Sequence, residues 1–126
     1  MLPLIIIIDD DKIIAEFLRR KLILLGVSNI KIYNSGMQFL KDDNSDASLI
    51  FLDYHLGDHS GIDILQKMNN SKNPTKVIML SSNEDMHIID EAYSFGVLQY
   101  IIKGSTDMHK QIKSIINDFF FEKQAV

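Results

Sequence analysis

Five short apolar runs, separated by segments of helical period, constrain the fold of this 126-residue chain more than any other feature. Runs of this length that alternate with helical segments are typical of a parallel sheet joined by crossover helices. Most of the runs are nearly continuous in apolar character, as expected of strands covered on both faces. The sequence therefore predicts an α/β fold. The five predicted strands are Leu4 to Ile8, Ile30 to Tyr33, Leu49 to Leu52, Val77 to Leu80 and Val97 to Ile102.

The second run differs from the others because Lys31 stands between Ile30 and Ile32. An alternating run is half exposed, so this strand is predicted at an edge of the sheet. Five βα units with right-handed crossovers give a doubly wound, five-stranded parallel sheet with helices on both faces. The common flavodoxin-like order, 2-1-3-4-5, places the second strand at an edge and rests on fold statistics.

Helices are expected in the segments between the runs. In the first helix, which Asp10 or Asp11 would cap and Gly26 would end, six apolar residues fall on one face. These six are Ile13, Ile14, Phe17, Leu18, Leu22 and Leu25. Met108 to Phe119 carries the pattern of the last helix, and shorter helices are predicted around Met37 to Leu40, Ile62 to Met68 and Met86 to Tyr93. The polar stretch from Asp42 to Ser48 is predicted to be a loop.

Composition narrows the function classes. The length fits a single domain over residues 1–126. The net charge of −4, without a basic stripe, argues against nucleic acid as a direct partner. The absence of cysteine excludes disulfides and thiolate metal sites and is compatible with a cytoplasmic location. The apolar start lacks a basic flank and reads as a buried strand, and no segment is long enough to span a bilayer.

Polar residues stand where four of the runs stop. The first run stops at Asp9 and Asp10, the third at Asp53, the fourth at Ser81 and the fifth at Lys103. The carboxyl ends of parallel strands line one rim of the sheet, and a ligand crevice opens where the winding reverses, here between strands one and three. We therefore expect these side chains to share one cleft.

Three carboxylates so placed need positive charge among them. Each pair at 4 Å repels by about 4 kcal/mol at an effective dielectric constant of 20. A set of carboxylates without cysteine suits Mg²⁺, or Mn²⁺, better than zinc. Lys103 adds a compact charge suited to a phosphate oxygen, and Ser81 adds a hydroxyl donor. Such a cleft has the parts for attack of a carboxylate on phosphorus, with an aspartyl phosphate as the product.

At these residues the chain resembles the receiver domains of two-component response regulators, the CheY-like family. The resemblance covers essentially the whole chain and rests on four motifs in order. They are Ile-Ile-Asp9-Asp10-Asp11, Leu-Ile-Phe-Leu-Asp53, Val-Ile-Met-Leu-Ser81 and Gln-Tyr100-Ile-Ile-Lys103. The resemblance implies a signalling phosphoacceptor that catalyses only its own phosphorylation and dephosphorylation. Its implied partners are a histidine kinase or phosphotransfer protein and a downstream output domain or protein target.

The resemblance also implies a metal set. Asp53 would be the phosphoacceptor, and Asp10 and Asp53 would bind Mg²⁺ together with the backbone carbonyl of His55. Asp9 would act through a metal-bound water.

The remaining roles concern the phosphoryl group and the response to it. Ser81 and Lys103 would bind phosphoryl oxygens, and Tyr100 would change rotamer with Ser81. His55 and Asn83 match the positions that tune the dephosphorylation rate. The surface of the fourth helix, fifth strand and fifth helix would then change, and a phosphorylation-dependent homodimer through this surface is a further expectation.

Two glycines depart from the family pattern. Gly57 stands where the family usually has proline, so the loop is expected to be looser by about 0.5 to 1 kcal/mol of unfolded-state entropy. Gly104 stands where a cis proline usually follows the lysine. A cis bond without proline costs about 3 kcal/mol, so a trans Lys103-Gly104 bond is predicted.

Other interpretations remain at this point. Asp9, Asp10 and Asp11 could simply start a helix, and Asp53 could end a strand at a turn. As a whole, the chain could be an aspartate-nucleophile phosphohydrolase, although His55 stands where such enzymes typically place a second aspartate. It could also be a receiver-like binding module that works without phosphorylation.

Overall fold

The computed structural model describes residues 3–43, 46–70 and 75–122 of the chain. Within them lie five strands, five α-helices and a final turn of π-helix. The strands are β1 (Leu4–Ile8), β2 (Ile30–Tyr33), β3 (Ala47–Asp53), β4 (Lys76–Ser81) and β5 (Gln99–Ile102). The helices are α1 (Lys12–Leu24), α2 (Gly36–Lys41), α3 (Gly61–Asn70), α4 (Met86–Ser94) and α5 (Met108–Asn117), and the π-helical turn is Asp118–Glu122.

The strands form one parallel sheet in the order β2-β1-β3-β4-β5, which confirms the predicted architecture and order. The register places Ile8 beside Leu52 and Asp53 beside Leu80. β1 and β3 are therefore neighbours in the middle of the sheet, and their carboxyl ends open on the same rim. β2 lies at an edge, as its alternating pattern predicts.

Two strands, β3 and β5, begin two residues away from their predicted starts. β3 begins at Ala47, so the predicted loop is shorter than expected at its end. β5 begins at Gln99 and not at Val97. The backbone N–H of Val97 donates to Ala92 in α4 at 3.3 Å, which makes Val97 part of the helix ending. Apolar character extended the predicted strand because Val97 is buried in the core although it is not in the sheet.

The sheet separates two apolar layers. One face packs against α1 and α5, through side chains such as Leu18, Leu22 and Ile112. The other face packs against α2, α3 and α4, with Phe39 and Leu65 among its buried residues. The helices thus cover both faces, and the rim at the strand ends stays free for polar groups.

The apolar face of α1 is narrower than the sequence predicts. Ala15, Leu18 and Leu22 are buried, but Ile13 and Phe17 are 82% and 60% exposed. At about 3.6 residues per turn, the residues at 15, 18 and 22 lie within about 60° of one another around the helix, and positions 13 and 17 fall outside this stripe. The prediction that Ile13 and Phe17 share one helix face with Leu18 and Leu22 is therefore wrong. No helix in the described part of the chain has the length and apolar character to cross a bilayer.

Candidate functional site

The structure brings four strand ends together at the rim. Asp53 and Ser81 are the last residues of β3 and β4, and Asp9 and Lys103 directly follow β1 and β5. Asp9, Asp53 and Ser81 are buried. The Nζ atom of Lys103 lies 2.9 Å from Oδ2 of Asp9 and 3.1 Å from Oδ1 of Asp53. One ammonium group therefore bridges the two buried carboxylates.

The acids after β1 divide into two roles. The side chain of Asp11 caps α1 by accepting from the N–H groups of Ile13 and Ile14. Asp9 instead turns into the cleft, where its Oδ1 accepts from the N–H of Asp11 at 3.0 Å. The alternative that these acids only start a helix thus holds for Asp11, and Asp9 has a different environment.

The carboxylates of Asp9, Asp10 and Asp53 form a cluster whose ligand oxygens lie within 4.8 Å of one another. Asp10 is exposed, whereas the other two are buried. Lys103 compensates only part of this negative charge, and an all-oxygen set suits a hard divalent ion. The residues present therefore fit Mg²⁺.

The Asp53 carboxyl carries the largest electrostatic effect in the cleft. Burial and, next in size, the nearby Asp9 carboxylate together raise its pKa from 3.8 to about 6, although Lys103 and the His55 N–H act to lower it. Burial alone would lower the pKa of Lys103, but Asp9 and Asp53 outweigh this and raise it. Lys103 therefore stays charged, and the charged form of Asp53 is the one that the cleft disfavours.

This shift predicts the pH dependence of stability without metal. The folded state binds the Asp53 proton more tightly than the unfolded chain does. The resulting contribution to the free energy of unfolding is complete below pH 3.8 and is lost as the pH rises through about 6. We expect the free energy of unfolding to fall by on the order of 2 kcal/mol across that window. Urea denaturation in EDTA, below pH 3.8 and above pH 6, measures this change in the free energy of unfolding. Asp53→Asn is the reference protein, because it lacks the titrating carboxyl. Equal pH slopes for the two proteins would contradict the assignment.

The residues expected to respond to the phosphoryl group are in contact with one another. The Ser81 hydroxyl is buried and accepts from the N–H of Asn83 at 3.0 Å. The Tyr100 hydroxyl donates to the carbonyl of Asn83 at 2.8 Å. Burial raises the pKa of Tyr100, and the Ser81 hydroxyl acts in the opposite direction. Tyr93 in α4 accepts from the N–H of Tyr100 at 3.0 Å, so α4 is tied to β5 at this point.

The loop after β3 places His55 at the edge of the cleft. Its side chain is exposed, its ring meets Tyr54 edge-on at 4.7 Å, and its N–H approaches Oδ1 of Asp53 at 3.4 Å. An open cleft of about 540 Å³ lies beside Asp10 and is lined by this loop. A small donor molecule could therefore reach the carboxylates from this side.

The two glycines that depart from the family pattern have left-handed backbones. Gly57 and Gly104 both have φ = +75°, and the Lys103-Gly104 bond is trans, as predicted. Proline cannot adopt a positive φ, so neither position could take the family's usual residue without a change of backbone. For Gly57, the simple expectation of a looser loop is therefore incomplete, because the loop follows a path that favours glycine.

One residue of this site, Asn34, was not predicted from the sequence. Asn34 directly follows β2, and its Nδ2 donates to the backbone carbonyl of Asp9 at 3.1 Å. The signal was available, because Asn34 ends the one apolar run whose end was left unused.

A doubly wound parallel sheet with this cleft of acids, hydroxyl and lysine defines the class of receiver-type α/β domains. The sequence matches the response regulator receiver domain family over residues 5–116, and the chain belongs to that family.

Comparisons with individual proteins agree. The chain is 33% identical over 103 residues to the transcriptional regulatory protein DcuR of Shigella flexneri, a match that covers 79% of this chain and 43% of DcuR. Among solved structures it is similar to the BeF3-activated receiver domain of DrrB, a Thermotoga maritima protein, at 27% identity and a TM-score of 0.81, covering 94% of this chain and 97% of that one.

A CheY-like receiver domain from Methanospirillum hungatei shares the fold, at 24% identity and a TM-score of 0.81, with 98% of this chain and 99% of that chain covered. The chain spans less than half the length of the curated relatives it matches.

Proposed function

We propose that the chain accepts a phosphoryl group on Asp53 from a histidine kinase or phosphotransfer protein, and that the modified domain regulates an output domain or protein target. The observation that carries this proposal is the Lys103 ammonium between Asp9 and Asp53, at 2.9 and 3.1 Å. A lysine that meets the phosphoacceptor oxygen is also placed to meet a phosphoryl oxygen on it.

The chemistry follows from the residues of the cleft. One Asp53 oxygen attacks phosphorus as the phosphorus–nitrogen bond of a phosphohistidine breaks, and the nitrogen keeps the bonding electron pair. Lys103 and the Ser81 hydroxyl then bind phosphoryl oxygens. Asp10, Asp53 and the His55 carbonyl would hold Mg²⁺, with Asp9 acting through a water. The bound ion supplies charge neutralisation and alignment of the transferred group.

The proposed switch uses the contacts around Tyr100. Movement of Ser81 toward the phosphoryl group would release its bond to Asn83 and change the space beside Tyr100. Because the backbone of Tyr100 is tied to Tyr93, the change would reach α4 and β5. Met86 and Leu98 are exposed apolar residues on this side. Together with α5, they would form a surface suited to an output partner or to a phosphorylation-dependent homodimer.

The phosphodonor would approach over the first two turns of α1, and the transfer would take place in the cytoplasm. Ile13 and Phe17 are exposed there, a few residues after the acids. A phosphodonor bound there would cover this apolar surface next to the acids that follow β1.

The test is intact-mass measurement after treatment with acetyl phosphate and Mg²⁺. We expect one phosphoryl group on the wild-type protein, little labelling in EDTA, and retained but slower labelling of Ser81→Ala, since its hydroxyl assists and does not attack. Many turnovers of a generic aryl phosphate per protein would instead favour the phosphohydrolase. An amide NMR spectrum unaltered by Mg²⁺ and beryllofluoride would favour the phosphorylation-independent module.

A further inference from the structure

Asn34 joins the edge of the sheet to the acids of the cleft. Its side-chain Nδ2 donates to the backbone carbonyl of Asp9 at 3.1 Å. On the other side of the same residue, the N–H of Asp9 donates to the carbonyl of Tyr33 at 3.0 Å. The two bonds hold both backbone polar groups of Asp9 against the end of β2.

A side chain is needed here because the backbone leaves the sheet. The β1–β2 ladder ends with Ile8 beside Tyr33. Two residues later, Ser35 caps α2 by accepting from the N–H of Gln38 at 3.1 Å. The chain has then turned away from β1, and the Asn34 amide takes the place of the next backbone donor. An unpaired carbonyl at this depth would be costly.

The bond also fixes the direction of Asp10. The Asp9 carbonyl and the Asp10 N–H belong to one planar peptide group, so holding the carbonyl sets the start of Asp10. The side chains of Asp9 and Asp10 are held differently. The Asp9 carboxylate is bound by Lys103 and accepts from the N–H of Asp11. Within the described residues, the exposed Asp10 carboxylate has no comparable hydrogen bond or ion pair. Its orientation therefore depends on its backbone.

We propose that Asn34 is a positioning residue that orients the Asp9-Asp10 peptide for binding of Mg²⁺. This inference rests on the proposed function only in taking Asp10 as a ligand. Loss of groups that orient metal ligands typically weakens metal affinity by 10- to 100-fold. Because the ligands themselves remain, we expect the lower end of that range.

The experiment is calorimetric titration of Mg²⁺ into wild-type protein and Asn34→Leu, which keeps the side-chain size and removes the donor. The Kd for Mg²⁺ should rise by about tenfold. Asn34→Gln retains an amide donor and should bind more tightly than Asn34→Leu. At saturating Mg²⁺, labelling by acetyl phosphate should recover to near the wild-type rate, because Asn34 does not contact the reacting oxygen of Asp53.

Tyr33→Phe is the matched control. It removes the 2.7 Å bond that the Tyr33 hydroxyl, at the end of β2, donates to Asp42 at the end of α2, and it leaves the contacts of Asp9 in place. Its stability should fall while its Kd for Mg²⁺ stays unchanged. If Asn34→Leu does not fold, Asn34→Ser, which is too short to reach the carbonyl, carries the same test.

An unchanged Kd in the folded Asn34 variant would overturn the positioning role. The proposed function fails differently, if wild-type protein binds Mg²⁺ but takes no phosphoryl group. In that case the titrations still decide the role of Asn34.

Discussion

Asp53→Asn is expected to abolish phosphoryl labelling by acetyl phosphate while it makes the metal-free protein more stable. The amide is nearly the same size but is not a nucleophile toward phosphorus, so the mass increment should disappear. The same change removes a buried charge that burial and Asp9 disfavour, as the raised pKa of about 6 indicates. Above that pH we expect the free energy of unfolding to rise by on the order of 2 kcal/mol.

Two measurements check this pair of effects. Intact mass after acetyl phosphate and Mg²⁺ reports the labelling, and urea denaturation in EDTA reports the stability. Asp58→Asn is a suitable control because Asp58 is an exposed acid in the same loop, and it should change neither result much. Labelling of Asp53→Asn at the wild-type level would reject Asp53 as the acceptor, and a loss of stability would reject the electrostatic account of the cleft.

Lys103→Met is expected to act in the opposite direction on stability and also to slow labelling. Methionine keeps the length of the side chain but leaves Asp9 and Asp53 without the ammonium that now lies about 3 Å from both. Breaking a buried ion pair costs about 3 to 5 kcal/mol. Because Lys103 is partly exposed, we expect a loss of about 2 kcal/mol in metal-free protein above pH 6. Loss of a preorganised charge at the phosphoryl oxygens should slow labelling by roughly a hundredfold.

Conditions that remove the repulsion should rescue the stability of Lys103→Met. We expect the loss to shrink when pH falls below the Asp53 pKa, and also when Mg²⁺ is saturating. Lys12→Met is the matched control, because it removes an exposed lysine near the cleft. If Lys103→Met unfolded with the wild-type free energy at every pH, the bridging ion pair would be shown to carry no stability.

The architecture was within reach of sequence reasoning because it depends on patterns along the chain. The runs Leu4 to Ile8 and Ile30 to Tyr33 coincide with β1 and β2. β1 is apolar throughout because it is buried on both faces, and β2 alternates because it lies at an edge of the sheet. The limits of β3 and β5 were less certain. Val97 is apolar because it is buried, and burial alone does not distinguish a strand from the residue that ends a helix.

The cleft was predictable for a related reason. The carboxyl ends of parallel strands lie at one rim of the sheet. The strand order was therefore enough to place together the four strand-end residues, Asp9, Asp53, Ser81 and Lys103. The order 2-1-3-4-5, however, came from fold statistics. The family resemblance assigns His55 and Asn83 a role in tuning the dephosphorylation rate, and this role stays a prediction.

What the sequence determined by itself is therefore the set of elements and the residues that end them, because hydrophobic period and strand-end polarity are local properties. Only the tertiary structure decided which partner each polar group meets. It placed Lys103 between two carboxylates, exposed Ile13 and Phe17, and brought the Asn34 amide to Asp9. These outcomes depend on distances between strands that are far apart along the chain, and no local pattern records those distances.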